Sequence, residues 1–412
     1  MSVRRGLAAV FLAALAVRLA VVFRQAPAPL RADALDYHNI AVSMLDQHEF
    51  VLPDGSRAAR GPAYPAFVAS VYAVAGRSTR AVQLAQALLG ALACALLAFA
   101  AGSLLSPGWG LACGLAAALY RGMADPAAVV LSESLYNLCL AAAFAALAWP
   151  AKRKWAAAAA AGAAFAVGTL TRPEALPIAV LIFAGARLWR KDWGAREAGA
   201  GLAALLLPVF LWAGRNAVVL GRPVLSSRGG ISAYAGLQMP LERMGRPVEK
   251  FHMPPAGTGE LAQNADYAAA FKRLWAATPL TEKARAYAYD LLSVLYPFLP
   301  AYDATYVILL PLWLLGLAAA WRRPAWRPAA LFALLSLGAY TAFGGPASRY
   351  RDALAPVLVL LAALGGSLCA ERAGTRRAAG VGAAWAALNV AVWALAPQVR
   401  ELALHVRRVL AG

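Results

Sequence analysis

AVQLAQALLGALACALLAFAAGSLL, residues 81–105, contains no charged side chain, and GWGLACGLAAALYRGMA, residues 108–124, follows it across a short turn with only Arg121 charged. A helix needs about 20 mostly apolar residues to cross the hydrocarbon layer of a bilayer. These two stretches read as consecutive spans. In lipid every backbone N–H and C=O must be paired within its own element or within a closed barrel, and runs this long and continuous do not suit barrel strands. The composition agrees, with 61% hydrophobic and 14% charged residues against about 25% charged in an ordinary soluble domain.

Working outward, a first span fits Leu7–Phe23 after Arg4 and Arg5, with no small-residue cleavage site before Arg24, so it reads as uncleaved. Further spans fit 128–149, 155–171, 174–190 and 199–219, then 305–321, 325–343, 353–370 and 378–397. The expected architecture is an all-α polytopic membrane protein of about eleven transmembrane helices. Between the first two spans, residues 24–80 form a mixed loop with a helix-like stretch from Asp33 to Gln47 and a short apolar one from Tyr64 to Ala75. Residues 222–304 make the longest polar region, with a Gly-rich start and a charged helical stretch near Tyr267–Tyr289. The chain therefore divides into an N-terminal transmembrane module (1–221), an outer loop region (222–304) and C-terminal helices with a tail (305–412).

Basic residues orient this topology, because Lys and Arg concentrate in short cytoplasmic loops. With the amino terminus inside, the clusters Lys152–Lys154, Arg187 to Arg196, Arg322 to Arg327 and Arg372 to Arg377 all fall on one side. The tail residues Arg400, Arg407 and Arg408 break the rule by falling outside. The net charge of +19 thus resolves into topology signals rather than a nucleic-acid-binding face. Arg and Ala bias suggests a GC-rich bacterial genome, and with it the cytoplasmic (inner) membrane. The four cysteines, Cys94, Cys113, Cys139 and Cys369, lie in apolar runs and give no disulfide or zinc framework.

The remaining charges at span ends, Asp33, Asp36, Arg60, Glu133, Arg172, Glu174, Arg215, Arg349 and Arg351, all face the opposite compartment. Charged groups at membrane depth mark a substrate path or a paired network. Asp33 and Asp36 share a helix face near its amino terminus, where they serve either as N-cap and first-turn acid or as a general base. Glu133, in LSESLYN, is a second acid, read either as a paired carboxylate or as part of the site. The arginines match an anionic ligand, because a guanidinium stays charged and its fork fits phosphate oxygens. Arg60 stands in RGPAYP, where two prolines stiffen the loop; Arg349, Tyr350 and Arg351 stand in SRYRDALAP, read as headgroup anchors or phosphate ligands. Arg172 and Arg215 each end a span and anchor either a helix or a ligand. His38 either orients an acceptor or simply packs, and Arg228–Gly236 reads as a flexible loop over the site or as ordinary turns.

In this order ADALDYHNIA, RGPAYPAFVASVYAVAG, LSESLYN, GTLTRPEAL, GRNAVVLGRPVLSSRGGISAYAG and SRYRDALAP resemble the C-type (GT-C) superfamily of membrane glycosyltransferases, in the branch similar to protein O-mannosyltransferases and aminoarabinose transferases. The resemblance implies amphipathic helices in the first outer loop. It further implies transfer of a sugar, with inversion, from a polyprenyl-phosphate carrier to an acceptor hydroxyl on a glycan, lipid or protein, at the periplasmic or external face. Asp33, four residues ahead of Tyr37, matches the family's catalytic carboxylate, with Asp36 beside it. Glu133 matches the second-loop acid, where Asp is commoner, and Arg60 the basic residue near the carrier phosphate. Tyr37, His38, Arg60, Tyr64, Arg172, Arg215, Arg349, Tyr350 and Arg351 complete the expected substrate-binding set. No His-rich or DxD-like cluster stands in the outer loops, so no obligatory metal is expected, although a divalent ion is compatible with the chemistry. The competing class is a transporter or flippase of a lipid-linked or anionic molecule, which calls for repeats and mid-span charges; no such repeat is seen, and the charged residues crowd at the outer ends of spans.

Overall fold

The computed structural model describes residues 3–26, 29–255, 257–296, 302–343, 349–395 and 401. Among these residues the regular elements are helices. Each expected span falls on one, but four of them, Val3–Arg24, Thr79–Leu104, Ala195–Leu220 and Ala355–Ala373, are long and apolar enough by themselves to cross a membrane. Others are shorter, such as Pro107–Leu119, Glu133–Ala148 and Ala304–Ala320. The tail residues Arg400, Arg407 and Arg408 lie outside the described residues.

Local chemistry sets several ends. Ser78 accepts a hydrogen bond from the Ala81 amide at the start of Thr79–Leu104, and Ser106 does the same for Trp109 at the start of Pro107–Leu119, with Pro107 in the first turn. The expected span 108–124 stops early: the helix ends at Leu119, and a short helix Arg121–Ala124 and a 3₁₀ turn Asp125–Ala128 follow. The next helix begins only at Glu133. Pro126 removes an amide donor, and Arg121 pairs with Asp125 at 2.9 Å, so this segment lies as a folded connection rather than as span.

Helices approach closely through small residues. Gly316 faces the Leu361 carbonyl and Gly365 faces the Leu312 carbonyl, so a methyl at either position would strike the opposing backbone where Ala304–Ala320 crosses Ala355–Ala373. Phe165 stacks on Phe332 with ring centroids 6.0 Å apart and meets Phe144 and Phe183 edge-on, filling the bundle interior. Arg18, fully buried in the first helix, donates to the Ala14 carbonyl at 3.1 Å, Cys94 Sγ at 3.1 Å and the Met123 carbonyl at 2.9 Å. It ties three elements together, and Gly90 leaves the room it occupies.

The described residues of 222–304 are not mainly loop. They fold into Gly229–Arg243, Glu260–Ala277 and Leu280–Leu295, the charged stretch being split at Thr278–Pro279. The expected flexible segment Arg228–Gly236 is helical from Gly229 onward. Its glycines serve close packing: a methyl at Gly230 would strike the Asn264 carbonyl, and one at Gly236 the Ala342 carbonyl.

Among the described residues of this region, Asp290 is buried without a hydrogen-bond donor. It has no exposed surface, and neither carboxylate oxygen is paired. Burial pushes its carboxyl up to about 7, against the opposing pull of Arg243. The folded state thus holds a proton that an unfolded chain releases near pH 4, and the stability tied to it is lost as pH rises from about 4 through 7. Asp290→Asn is expected to remove this slope and to stabilise the detergent-solubilised protein at pH 8 by about 1–3 kcal/mol. Thermal melting between pH 5 and 8 checks it, and an unchanged slope in the variant would refute it.

Candidate active site

Ala32 begins the construction of the site. It takes a positive φ of 47° just ahead of the helix Asp33–Asp46, a conformation costly for a residue with a Cβ. Ala32 and not Asp33 is therefore the N-cap, and Asp33 is the first helical residue. Asp33 and Asp36 then lie on one face, and both turn to Arg60. Arg60 Nη2 stands 2.6 Å from Asp33 Oδ1 and 2.6 Å from Asp36 Oδ2, and Nε donates to Asp36 Oδ2 at 3.0 Å. Burial works against the Arg60 charge, but Tyr37 and the two aspartates outweigh it, and its pKa lies above the ordinary value.

A second group comes from the ends of two spans. Arg172, at the close of Lys154–Thr171, donates to Glu133 Oε1 at 2.7 Å and approaches Glu174 at 3.6 Å. Glu133 opens its helix, where the positive dipole end favours an acid. Both side chains are nearly buried, yet Glu133 Oε2 and Arg172 Nε have no hydrogen-bond partner.

Arg228 supplies a third cation, from the residue preceding Gly229–Arg243. Its Nη2 reaches Asp36 Oδ2 at 3.3 Å. Burial and the neighbouring Arg60 charge both hold its pKa below the ordinary arginine value, and the aspartates only partly compensate.

These groups converge on one cleft of about 370 Å³, lined by Asp33, Tyr37, Arg60, Glu133, Arg172, Glu174, Arg228, Tyr340 and Tyr350 among others. Tyr340 and Tyr350 stack at 5.1 Å. Tyr37 is buried under Arg60 and edge-on to Tyr64 at 4.7 Å, and burial raises its pKa.

Several expected site residues lie elsewhere. Tyr64 is fully buried behind Tyr37 and bonds Gln86. His38 turns to the Tyr72 hydroxyl at 2.9 Å. Arg215 donates to the Arg57 carbonyl at 2.7 Å and the Phe50 carbonyl at 3.3 Å, holding the loop that carries Arg60. Arg351 is buried against Asp303 at 3.2 Å and lies over the Tyr306 ring, away from the cleft. The Arg349 side chain lies outside the described residues. Arg228 was not singled out as a ligand in the sequence because the residues after it read as loop. Among the described residues no three His, Cys, Asp or Glu side chains gather as a metal cluster.

Comparison with known structures decides the fold. ArnT from Cupriavidus metallidurans in the apo state superposes with a TM-score of 0.58 at 17% identity, over 89% of this chain and 60% of that one. This chain has the C-type glycosyltransferase fold. The same ArnT bound to undecaprenyl phosphate gives a TM-score of 0.54 at 16% identity over 87% of this chain. The archaeal oligosaccharyltransferase AglB from Archaeoglobus fulgidus, in complex with an inhibitory peptide and a dolichol-phosphate, gives 0.53 at 14% identity, over 95% of this chain and 54% of that one. The chain thus spans little more than half the length of these C-type structures. Residues 59–212, from just before Arg60 to the middle of Ala195–Leu220, match the profile of the dolichyl-phosphate-mannose-protein mannosyltransferase family. No curated protein sequence matches the chain.

Proposed function

We propose that the cleft transfers a sugar from a polyprenyl-phosphate-linked donor to an acceptor hydroxyl of a glycan, lipid or protein, with inversion, at the outer face of a bacterial inner membrane. The observation that carries this reading is the convergence of Arg60, Arg172 and Arg228 with Asp33 on one cleft of a C-type fold. A sugar hydroxyl is a weak nucleophile, so the reaction needs a base on one side and positive charge on the phosphate that leaves. Asp33 takes the hydroxyl proton. Arg60 and Arg228 hold the phosphate, the role first expected of Arg349 or Arg351 beside Arg60. Tyr37 packs beneath Arg60, and Asp36 and Glu133 keep the guanidiniums aimed.

Arg60 is bound to both aspartates. A donor phosphate competes for the same fork and frees Asp33 to act, so binding and activation are one event. The positive charge comes from arginine, and this arrangement requires no metal ion, although a divalent ion bound with the phosphate would be compatible with it. In this reading the prenyl chain lies among helices in the bilayer, and the side of the cleft follows the expectation from the basic loops, about eleven crossings with the amino terminus inside and the cleft outside.

The test is transfer of a labelled sugar from polyprenyl-phosphate donors in membranes holding matched amounts of wild type and Arg60→Ala. Loss of one desolvated phosphate contact in Arg60→Ala is expected to lower kcat/KM about 10²–10³-fold. A wild type that transfers from no such donor, or an Arg60→Ala variant at full activity, would overturn the reading.

A further inference from the structure

Glu260 is the first residue of Glu260–Ala277, where an acid is ordinarily explained by the helix dipole. Its carboxylate is aimed elsewhere. Oε1 accepts from the Arg57 amide at 2.7 Å, and Oε2 accepts from the Ala58 amide at 3.0 Å and from Ser227 Oγ at 2.7 Å. The Ser227 amide in turn donates to the Ala58 carbonyl at 2.9 Å. One carboxylate thus joins two loops far apart in sequence, each next to a cleft arginine: Ala58 stands two residues before Arg60, and Ser227 immediately precedes Arg228.

The join has work to do. Arg60 and Arg228 are like charges converging on the single Asp36 Oδ2, and Arg60 already disfavours the Arg228 charge. One carboxylate oxygen offsets only part of the repulsion between two guanidiniums, and Arg228, the more exposed and the more distant from it, is the one held less firmly. On the far side the loop is fixed by Gly61, where a methyl would strike the Leu170 carbonyl, and by Arg215 on the Arg57 carbonyl. The Glu260 clasp, with the Ser227–Ala58 backbone bond beside it, links this fixed loop to the helical region carrying Arg228.

We infer that Glu260 is a positioning residue that holds Arg60 and Arg228 at the spacing of one phosphate group, so that the donor meets a preformed two-arginine clamp. This rests on the proposed transferase reading. A clamp acts on bound donor and transition state alike, so its loss raises donor KM more than it lowers kcat. A role confined to folding would instead reduce active protein and leave KM unchanged.

The experiment measures binding of undecaprenyl phosphate to the detergent-solubilised full chain, with hydrogen exchange at the Arg57 and Ala58 amides, for wild type, Glu260→Ala and Glu260→Gln. Glu260→Ala is expected to deprotect both amides, to weaken binding about 10–100-fold and to raise donor KM in the transfer assay by a similar factor. Glu260→Gln, isosteric and still an acceptor, falls between. Deprotected amides with unchanged binding, or a kcat loss at constant KM, would overturn the inference and leave the transferase reading standing. A wild type that binds no polyprenyl phosphate would remove that reading and the inference with it.

Discussion

Asp33→Asn is expected to lower sugar transfer about 10²–10⁴-fold, the usual contribution of a positioned general base, while donor KM changes little. Asparagine keeps the size of the side chain and one acceptor oxygen, so the helix start at Ala32 and the wall of the cleft are preserved. Arg60 loses the charge of Asp33 but keeps two contacts with Asp36, and so stays in place for the phosphate. The variant therefore separates proton removal from donor binding. Asp36→Asn makes the natural comparison, because Asp36 is shared by Arg60 and Arg228 and does not itself line the cleft; its loss shows in donor KM. Rates of labelled-sugar transfer over a range of donor concentrations distinguish the two patterns. Full activity in Asp33→Asn would move the base to Asp36 or Glu133.

The helices were legible because lipid imposes a simple rule on sequence. Apolar runs such as 81–105 have few alternatives, and short loops mark their ends with Lys and Arg. What the pattern does not carry is how long each helix is once helices pack against each other. Pro107–Leu119 and Glu133–Ala148 fall short of a full crossing, and the connection between them, where Pro126 and the Arg121–Asp125 pair sit, read in sequence as the adjoining ends of two spans, 108–124 and 128–149. Arg18 escaped notice for the same reason, since one arginine in an apolar run says nothing of the Cys94 and Met123 partners that satisfy it.

The cleft was legible as a set of lining residues but not as a set of pairs. Asp33, Tyr37, Arg60, Glu133, Arg172 and Tyr350 line one cleft, and all stand at span ends or in the first outer loop, where charge is conspicuous. Which arginine faces the cleft depends on partners distant in the chain. Asp303 draws Arg351 away, whereas Gly230 and Gly236 let the helix after Arg228 pack closely enough to bring that arginine in. A Gly pair in sequence signals a turn at least as often as a helix contact, and here it was the contact.

Arg172→Ala is expected to destabilise the protein by about 3–5 kcal/mol, because it leaves Glu133 as an uncompensated charge in a nearly buried place. Glu133 Oε1 accepts from Arg172 at 2.7 Å, and its other oxygen already has no partner. Glu174, less buried and 3.6 Å from Arg172, gives no help, being an acid itself. The penalty belongs to the orphaned charge rather than to the pair, so Arg172→Ala combined with Glu133→Gln should recover much of the loss. A double-mutant cycle on thermal melting in detergent measures that coupling. Equal losses in the single and double variants would mean that Arg172 acts through packing on the Tyr136 ring instead. Recovery of stability without recovery of transfer would mean that Arg172 is kept for the anionic donor and Glu133 to aim it, since an apolar pair of the same volume would hold the helix ends as well.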